Sequence, residues 1–277
     1  MKVLSRIYIP LVFILLYLPI LIVILFSFND AGSMSHFEGV SLKWYAELFE
    51  DETALKALWN SLELAITSSL IATVIGTLAA FGINKMRSRW LSGAIRSVTN
   101  IPMMNPDIVT GVSMMLVFVA AISIPFLNFK FGKTTMMIAH TTFSLPYVIL
   151  SVLPRFQQMD KSLSEAALDL GCSPARAFFK VELPLVVPGV FSGFLLGFTL
   201  SLDDFVISHF VSSPDFQTLP LYIYNQTAHQ VKYSMYALCA LMVFAILALL
   251  FVVNFAGSLG KNKRVKRHRE SQLSLNQ

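Results

Sequence analysis

Four carboxylates stand within or beside long apolar segments of this sequence, and one of them, Glu63, begins the second segment and is expected to be a solvated acid at a helix end. Asp107 follows Asn105-Pro106 in the third apolar segment, and Asp203 and Asp204 close the fifth. Acids are costly inside a membrane and mark functional positions there by default. Because no Lys or Arg lies within the apolar segments, the acids favour a path for a cation such as a diamine, whose ammonium groups they would pair with.

Each acid also has a structural interpretation. Asn105 would be the N-cap of a helix and Pro106 its first residue, which puts Asp107 where the helix dipole favours a negative charge. Asp203 and Asp204 could mark the solvated end of a helix. The apolar residues that follow them, 205–211, instead favour a position in a wet cavity. Trp44 would add a cation–π surface at the outer mouth.

A second pattern, E-A-A-x3-G-x9-V-x-L-P, lies in the loop 155–184 between two apolar segments. We expect Glu165 to open a short helix with a flat, small-residue face, Gly171 to end or bend it, and Pro174 and Pro184 to bracket a second helix. Such helices would present a knob to a groove on another protein. The positions singled out by the pattern are Glu165, Ala166, Ala167, Gly171 and Pro184.

The composition is that of an integral membrane protein. Apolar residues make up 55% of the 277 residues and charged residues 13%, against about 25% charged in soluble domains. A bilayer needs about 20 apolar residues per helix, which predicts an all-α membrane domain over residues 1–260 and a basic tail over 261–277. The six predicted spans are 7–28, 62–83, 101–124, 134–153, 185–202 and 233–255.

Basic residues predict the orientation of these spans. With the N-terminus inside, sixteen Lys and Arg residues face the cytoplasm and five face outwards, as expected when positive charge stays inside. Both termini and the loop 155–184 are then cytoplasmic. The net charge of +5 is concentrated in the tail, which favours anchoring at the membrane surface over binding nucleic acid. The stretch 42–49 is amphipathic and suits the membrane interface.

Glycines four residues apart predict close helix packing in the fifth span. Gly189, Gly193 and Gly197 form two overlapping G-x-x-x-G steps, which place all three on one helix face and let another backbone approach. The same face could instead move against a neighbouring helix, or against a second subunit, during gating.

The loop pattern resembles the cytoplasmic loop of permease subunits of bacterial ABC importers. Together with Trp44-Tyr45 and the segments 103–109 and 198–204, it makes nearly the whole chain similar to spermidine/putrescine ABC transporter permeases, most of all the second, C-type subunit. This resemblance implies a type I importer fold with six spans and cytoplasmic coupling helices in the bacterial plasma membrane. The pathway residues it implies are Trp44, Asp107, Ser201, Asp203 and Asp204.

The resemblance also implies partners. They are a sister permease, two ATP-binding subunits on the cytoplasmic face and an extracytoplasmic polyamine-binding protein. The chain has no G-x-x-x-x-G-K-[ST], so ATP and Mg would be bound by the partner ATPases and the chain itself would need no cofactor or metal.

Two alternatives remain open from the sequence. The same architecture could carry another substrate, such as ferric iron, a sulfonate or a thiamine-like cation. An intramembrane aspartyl protease is disfavoured, because Asp203 and Asp204 are adjacent on one helix rather than converging from two. Metalloprotease and serine-hydrolase patterns are absent, and the chain is therefore expected not to be an enzyme.

Overall fold

The computed structural model describes residues 2–31, 36–124, 130–227 and 232–248, together with Phe251. These residues form helices, with two isolated β-bridges at Asn29–Val40 and Ser213–Phe216. A π-helical segment, Phe178–Glu182, lies between the eighth and ninth helices. The helices in chain order are α1 (Lys2–Ser27), α2 (Lys43–Glu50), α3 (Glu52–Lys85), α4 (Arg89–Met104), α5 (Asp107–Ile122), α6 (Lys133–Gln158), α7 (Lys161–Asp169), α8 (Pro174–Ala177), α9 (Leu183–Asp203), α10 (Val206–Val211), α11 (Leu219–Thr227) and α12 (Ser234–Ala248).

The chain divides into two compact units. The first unit joins Met1–Glu52 to Gln226–Gln277 and contains α1, α2 and α12, whereas the second unit is Thr53–Asn225. Within the first unit the amphipathic stretch predicted over 42–49 is confirmed as α2, which buries Trp44 and Leu48. The basic tail predicted over 261–277 lies outside the described residues.

The prediction of six uninterrupted spans is not reproduced by the part of the chain that the structure describes. Four stretches are long and apolar enough to cross a membrane, namely Tyr8–Ser27, Glu52–Lys85, Lys133–Gln158 and Pro174–Asp203. The helices α4 and α5 would form a fifth if counted as one broken span. The predicted span 233–255 falls partly outside the described residues, and its described helix, α12, is shorter than a crossing helix.

The predicted span 101–124 is interrupted by a bend of 105° between α4 and α5. Pro106 causes the break, because its ring disfavours a helical backbone at the preceding residue; Asn105 is accordingly extended, with φ −78° and ψ 142°. The predicted N-cap role of Asn105 is therefore wrong. Asn105 ends α4, Pro106 is the N-cap of α5, and Asp107 is the first residue of α5, where the helix dipole favours its charge.

The core of the second unit is built where α3, α6 and α9 pack side by side. α3 and α6 run in the same direction, because Gly76 faces Val148 just as Phe81 faces Phe156 further along. α9 runs the opposite way, and its glycine face is confirmed as a packing surface. A Cβ on Gly193 would lie 3.2 Å from Val148 Cγ1, and one on Gly189 would lie 3.0 Å from the carbonyl oxygen of Ser151.

A second apolar cluster holds α5, α6 and α10 together. Gly111 on α5 lies against the ring of Phe210 on α10, so α10 is held against the N-terminal half of α5. This contact matters for the site, because α10 begins directly after Asp203 and Asp204. The buried members of the cluster are Leu64, Phe118, Met136, Ala139, Phe143, Ile207, Val211 and Phe216.

Candidate functional site

Two acids from separate helices converge in the second unit. Asp203 is the last residue of α9 and Asp107 the first of α5, and both are exposed. One turn after Asp107, a Cβ on Gly111 would lie 3.5 Å from the Cα of Ile207, four residues after Asp203, so the start of α5 lies near the end of α9. The fold thus brings together two carboxylates that lie 96 positions apart in the sequence. The arrangement offers a cation two negative charges, one from each of two helices.

Asp204 faces in a different direction from its neighbour. Its side chain is 7% exposed, and its oxygens accept hydrogen bonds from the backbone amides of Ile207 (3.2 Å) and Ser208 (2.8 Å). These amides belong to the first turn of α10, so Asp204 caps that short helix. The reason for the divergence is local: α9 ends at Asp203, and the backbone of Asp204 is extended, with φ −67° and ψ 120°.

A buried polar network surrounds the Asp204 carboxylate. His140 on α6, 1% exposed, lies with Nε2 3.5 Å from Asp204 Oδ2. Its Nδ1 is 2.8 Å from Ser201 Oγ and its Nε2 is 3.1 Å from Ser208 Oγ. Ser201 Oγ is also 3.1 Å from Ser68 Oγ on α3. Ser201 is therefore buried within a network that joins α3, α6, α9 and α10.

The sequence analysis did not single out His140. A signal was available, because a lone ionisable residue inside an apolar segment is a candidate site by the same rule that selected the acids. Among the described residues, no group of three or more His, Cys, Asp or Glu side chains is arranged to hold a metal ion.

Trp44 belongs to the first unit, where its ring is buried. Its Nε1 donates a hydrogen bond to the Asn29 carbonyl oxygen at 2.6 Å, and the ring packs on Tyr233 with centroids 5.1 Å apart. The ammonium of Lys43 lies 5.1 Å from the centre of the same ring. A lysine of the chain itself thus occupies a cation–π position on Trp44.

The short helix of the loop starts earlier than the sequence predicted. α7 begins at Lys161, four residues before Glu165, because Asp160 is its N-cap and accepts a hydrogen bond from the Ser162 amide at 3.0 Å. That backbone hydrogen bond lowers the pKa of Asp160, since it favours the charged carboxylate. Glu165 therefore lies inside α7. Glu165 and Ala166 are exposed, whereas Ala167 is buried.

Gly171 ends α7 as predicted. Its backbone is left-handed, with φ +83°, a conformation that a residue without a Cβ adopts at little cost. The Gly171 amide donates to the Leu168 carbonyl at 2.9 Å, and the Cys172 amide donates to the Ala167 carbonyl at 3.1 Å. These two bonds form a Schellman motif, which satisfies carbonyls left free at a helix end.

The prediction that Pro184 closes a second short helix is wrong. Pro174 does begin α8, but the helical backbone continues without a break from Pro174 to Asp203. The π-helical segment Phe178–Glu182 shifts the hydrogen-bond register, and the Leu183 amide bonds to the Phe178 carbonyl. Pro184 consequently falls in the first turn of α9, where its missing N–H is tolerated. The loop is therefore joined rigidly to the span α9.

Long apolar helices joined by a surface loop of short helices are typical of a multi-pass membrane protein. Residues 72–259 match the family of binding-protein-dependent transport system inner membrane components. This match covers more than half of the chain, which therefore belongs to that family. Its members are transport permeases of the membrane, and the chain is not an enzyme; the protease alternative is thereby excluded.

Curated relatives narrow the comparison. The chain is 35% identical to the putrescine transport system permease protein PotI of Escherichia coli (strain K12). The alignment spans 255 residues and covers 92% of this chain and 90% of PotI. It is 37% identical over 238 residues to the spermidine/putrescine transport system permease protein PotC of Haemophilus influenzae, which covers 86% of this chain and 90% of PotC.

Solved structures share the fold. A bacterial ABC transporter involved in the import of the acidic polysaccharide alginate superimposes with a TM-score of 0.71 over 93% of this chain and 95% of that one, at 12% identity. A bacterial alginate ABC transporter in complex with a periplasmic protein bound to an alginate pentasaccharide gives a TM-score of 0.69 at 16% identity. At these identities the likeness extends to the fold alone.

Proposed function

We propose that the chain is a permease subunit of an ATP-driven importer and that the imported substrate is a polyamine, spermidine or putrescine. The observation that carries this proposal is the placing of two exposed carboxylates, Asp107 and Asp203, at the ends of α5 and α9, where Gly111 of α5 packs on Ile207 and Phe210 just after α9. The alignments with PotI and PotC cover most of the chain, and the names of these two relatives support the same substrate class.

The electrostatics of the acid pair favour a cationic substrate. Among the described residues, neither Asp107 nor Asp203 has a Lys or Arg within ion-pair distance. Two neighbouring negative charges repel each other, and a diamine placed between them would replace that repulsion with two attractive contacts. A hydrogen bond to a charged group is worth about 1.5–3 kcal/mol, which suits a site that must release its substrate.

In this proposal the acids have two different roles, substrate contact and support of the structure. Asp107 and Asp203 contact the passing cation, whereas Asp204 and Ser201 hold the junction between α9 and α10 in place through His140. This division follows from which carboxylate oxygens already accept hydrogen bonds. A pathway role for Trp44 remains a prediction, and it requires Lys43 to leave the face of the ring.

The loop 155–184 supports the proposed coupling to ATPases. α7 and the π-helical segment expose large apolar side chains beside the charged Glu165, and exposed apolar groups rimmed by polar ones are typical of protein contacts. In this proposal the loop faces the cytoplasm, as do both termini, and docks on two ATP-binding subunits that hold ATP and Mg. A sister permease completes the pathway, and a binding protein delivers the substrate outside. The exposed apolar residues are Leu163, Leu168, Leu170 and Phe179.

Uptake by two matched variants tests the acid site. Asp203→Asn removes a substrate contact, so we expect KM for radiolabelled putrescine and spermidine to rise about tenfold to a hundredfold, from 1.5–3 kcal/mol at 1.4 kcal/mol per tenfold. Asp204→Asn is the matched control: the amide keeps one capping acceptor, so we expect a lower melting temperature with KM near that of the wild type.

Both variants are compared at equal membrane abundance and after confirming that they still bind the ATPase subunits. Wild-type KM in the Asp203→Asn variant would remove Asp203 from the pathway. A loss of uptake confined to Asp204→Asn would reverse the division proposed for the two residues. Failure of the wild-type complex to import either polyamine, with import of another cation, would shift the proposal to that substrate.

A further inference from the structure

An ion pair between a buried carboxylate and a half-exposed lysine lies at the base of the loop 155–184. Glu182, the last residue of the π-helical segment, has a side chain that is 2% exposed. Its Oε1 accepts hydrogen bonds from Ser164 Oγ at 2.6 Å and from Lys85 Nζ at 2.8 Å. Its Oε2 is buried and has no hydrogen-bond partner among the described residues. The motif that defines the loop leaves this position unspecified, so the pattern did not draw attention to it.

The pair joins three elements that the sequence keeps apart. Lys85 is the last residue of α3, Ser164 lies on α7, and Glu182 ends the π-helical segment. The two charged partners are 97 positions apart. A buried carboxylate that loses its cation strongly destabilises the folded protein. Among the described residues, no hydrogen bond to Glu182 Oε2 would compensate for that loss. Movement of the loop away from α3 is therefore costly, whereas movement of the loop together with α3 keeps the pair intact.

Aromatic packing reinforces the same contact. The Lys85 ammonium lies 5.5 Å from the centre of the Phe81 ring on α3. Phe81 in turn packs on Phe178, the first residue of the π-helical segment, with centroids 4.6 Å apart. The segment thus contacts α3 at both of its ends, through an aromatic pair at Phe178 and an ion pair at Glu182.

α3 leads from this contact to the acid site. Ser68 lies 17 residues before Lys85 on the same helix, which is roughly 25 Å at 1.5 Å per residue. Its hydroxyl is 3.1 Å from Ser201 Oγ, two residues before Asp203. One rigid helix therefore carries the loop contact at one end and a contact of the acid site's framework nearer the other.

We propose that the Lys85–Glu182 pair is the joint through which movement of the loop turns α3 and, with it, the acid site. Glu182 is a positioning residue in this scheme, because it acts through Lys85 and contacts no substrate. The inference rests on the proposed function, since it requires an ATPase that moves the loop. It adds a specific connection between the docking surface and the pathway.

The test uses the complete complex reconstituted in proteoliposomes with its ATPases and binding protein. Glu182→Gln and Lys85→Met each remove the ion pair while keeping side-chain volume. We expect each to lower binding-protein-stimulated ATP hydrolysis, and putrescine transported per ATP, by about threefold to thirtyfold, with normal co-purification of the ATPases. Both variants remove the same contact. The double variant should therefore couple at least as well as the single variant with the lower coupling.

A second ion pair on α3 supplies the control. Glu63 on α3 pairs with Lys133 at the start of α6. The two lysines are about equally exposed, but the Glu63 side chain is 34% exposed whereas that of Glu182 is 2% exposed. Such pairs contribute little, so Glu63→Gln should couple like the wild type. A purely structural role for Glu182 would lower the yield of complex without changing the stimulation measured per complex.

The outcomes separate the two proposals. A wild-type chain that neither retains ATPases nor shows stimulated hydrolysis would overturn the proposed function. A coupled wild type together with unchanged coupling in Lys85→Met would overturn the joint alone. Unchanged coupling in Glu182→Gln would overturn the joint equally. That variant decides the point even if Lys85→Met fails to fold, because glutamine leaves no buried charge and the Lys85 ammonium is half-exposed. Additive losses in the double variant would also contradict a shared contact.

Discussion

Gly76 on α3 should not tolerate a methyl group, whereas Gly82, six residues further along the same helix, should. A Cβ added at Gly76 would lie 2.7 Å from Val148 Cγ1 and 2.9 Å from Val148 Cβ on α6. At Gly82 no atom lies within 4 Å of the added Cβ. The two positions share a helix and a substitution, so they differ in packing alone.

The magnitude follows from two opposing effects. Alanine in a helix is favoured over glycine by up to about 1 kcal/mol, and this gain applies to both positions. At Gly76 the methyl group meets a fully buried Val148, whose branched Cβ prevents it from rotating away. Overpacking of this kind costs about 1–3 kcal/mol. We therefore expect Gly76→Ala to be about 1–3 kcal/mol less stable than Gly82→Ala.

Unfolding of the purified chain in mixed detergent micelles, titrated with a denaturing detergent and followed by circular dichroism, would measure the difference. Gly76→Ala combined with Val148→Ala offers a further check, because the smaller side chain removes the clash and should restore part of the loss. Equal or greater stability of Gly76→Ala relative to Gly82→Ala would refute the close approach of α3 and α6 from which the prediction was worked.

Two further predictions concern the loop and its side of the membrane. Gly171→Ala should destabilise the end of α7 by about 1–2 kcal/mol, because the backbone at Gly171 is left-handed, and Gly171→Asn should destabilise it less. A pull-down of the ATPases should show weaker docking for the alanine variant than for the asparagine variant. Equal docking of the two variants would contradict a strained backbone at this position. In a chain with Cys172 and Cys239 replaced by serine, Asn225→Cys should react with an impermeant thiol reagent from outside and Ser162→Cys only after permeabilisation, and the reverse pattern would overturn the proposed orientation.

The loop shows which features short-range rules can predict. Gly171 was identified correctly because a left-handed helix end depends on a few neighbouring residues and favours glycine strongly. The start of α7 was missed, since the motif begins at Glu165 while the cap that starts the helix is Asp160. The prediction that Pro184 ends a helix was wrong for a different reason. Whether a proline ends a helix depends on the hydrogen-bond register before it, and the π-helical segment changes that register.

The spans show the limit of hydropathy. Apolar length located α1, α3, α6 and α9, because burial in lipid requires about 20 apolar residues whatever the helix packs against. It did not locate the bend at Pro106, since a broken pair of helices and a straight helix have the same composition. A proline favours an extended backbone at the residue before it, and this effect ends α4 at Asn105. The prediction from the sequence was a helix start at Asn105-Pro106, without the break between two helices that accompanies it.

Asp203 and Asp204 show why a pathway cannot be assigned from residue type alone. The two acids are adjacent and chemically identical, so residue type alone cannot assign them different roles. The end of α9 falls between them, so one carboxylate stays exposed while the other turns inwards to cap α10 beside His140. A carboxylate whose oxygens already accept two amide hydrogen bonds must lose those bonds before it can follow a moving cation. An exposed carboxylate exchanges water for an ammonium group at far lower cost. The groups that line a transport path should therefore be those whose hydrogen bonds are not already committed to the fold. By that criterion we propose that Asp203 belongs to the path, whereas Asp204, His140 and Ser201 stabilise the structure around it.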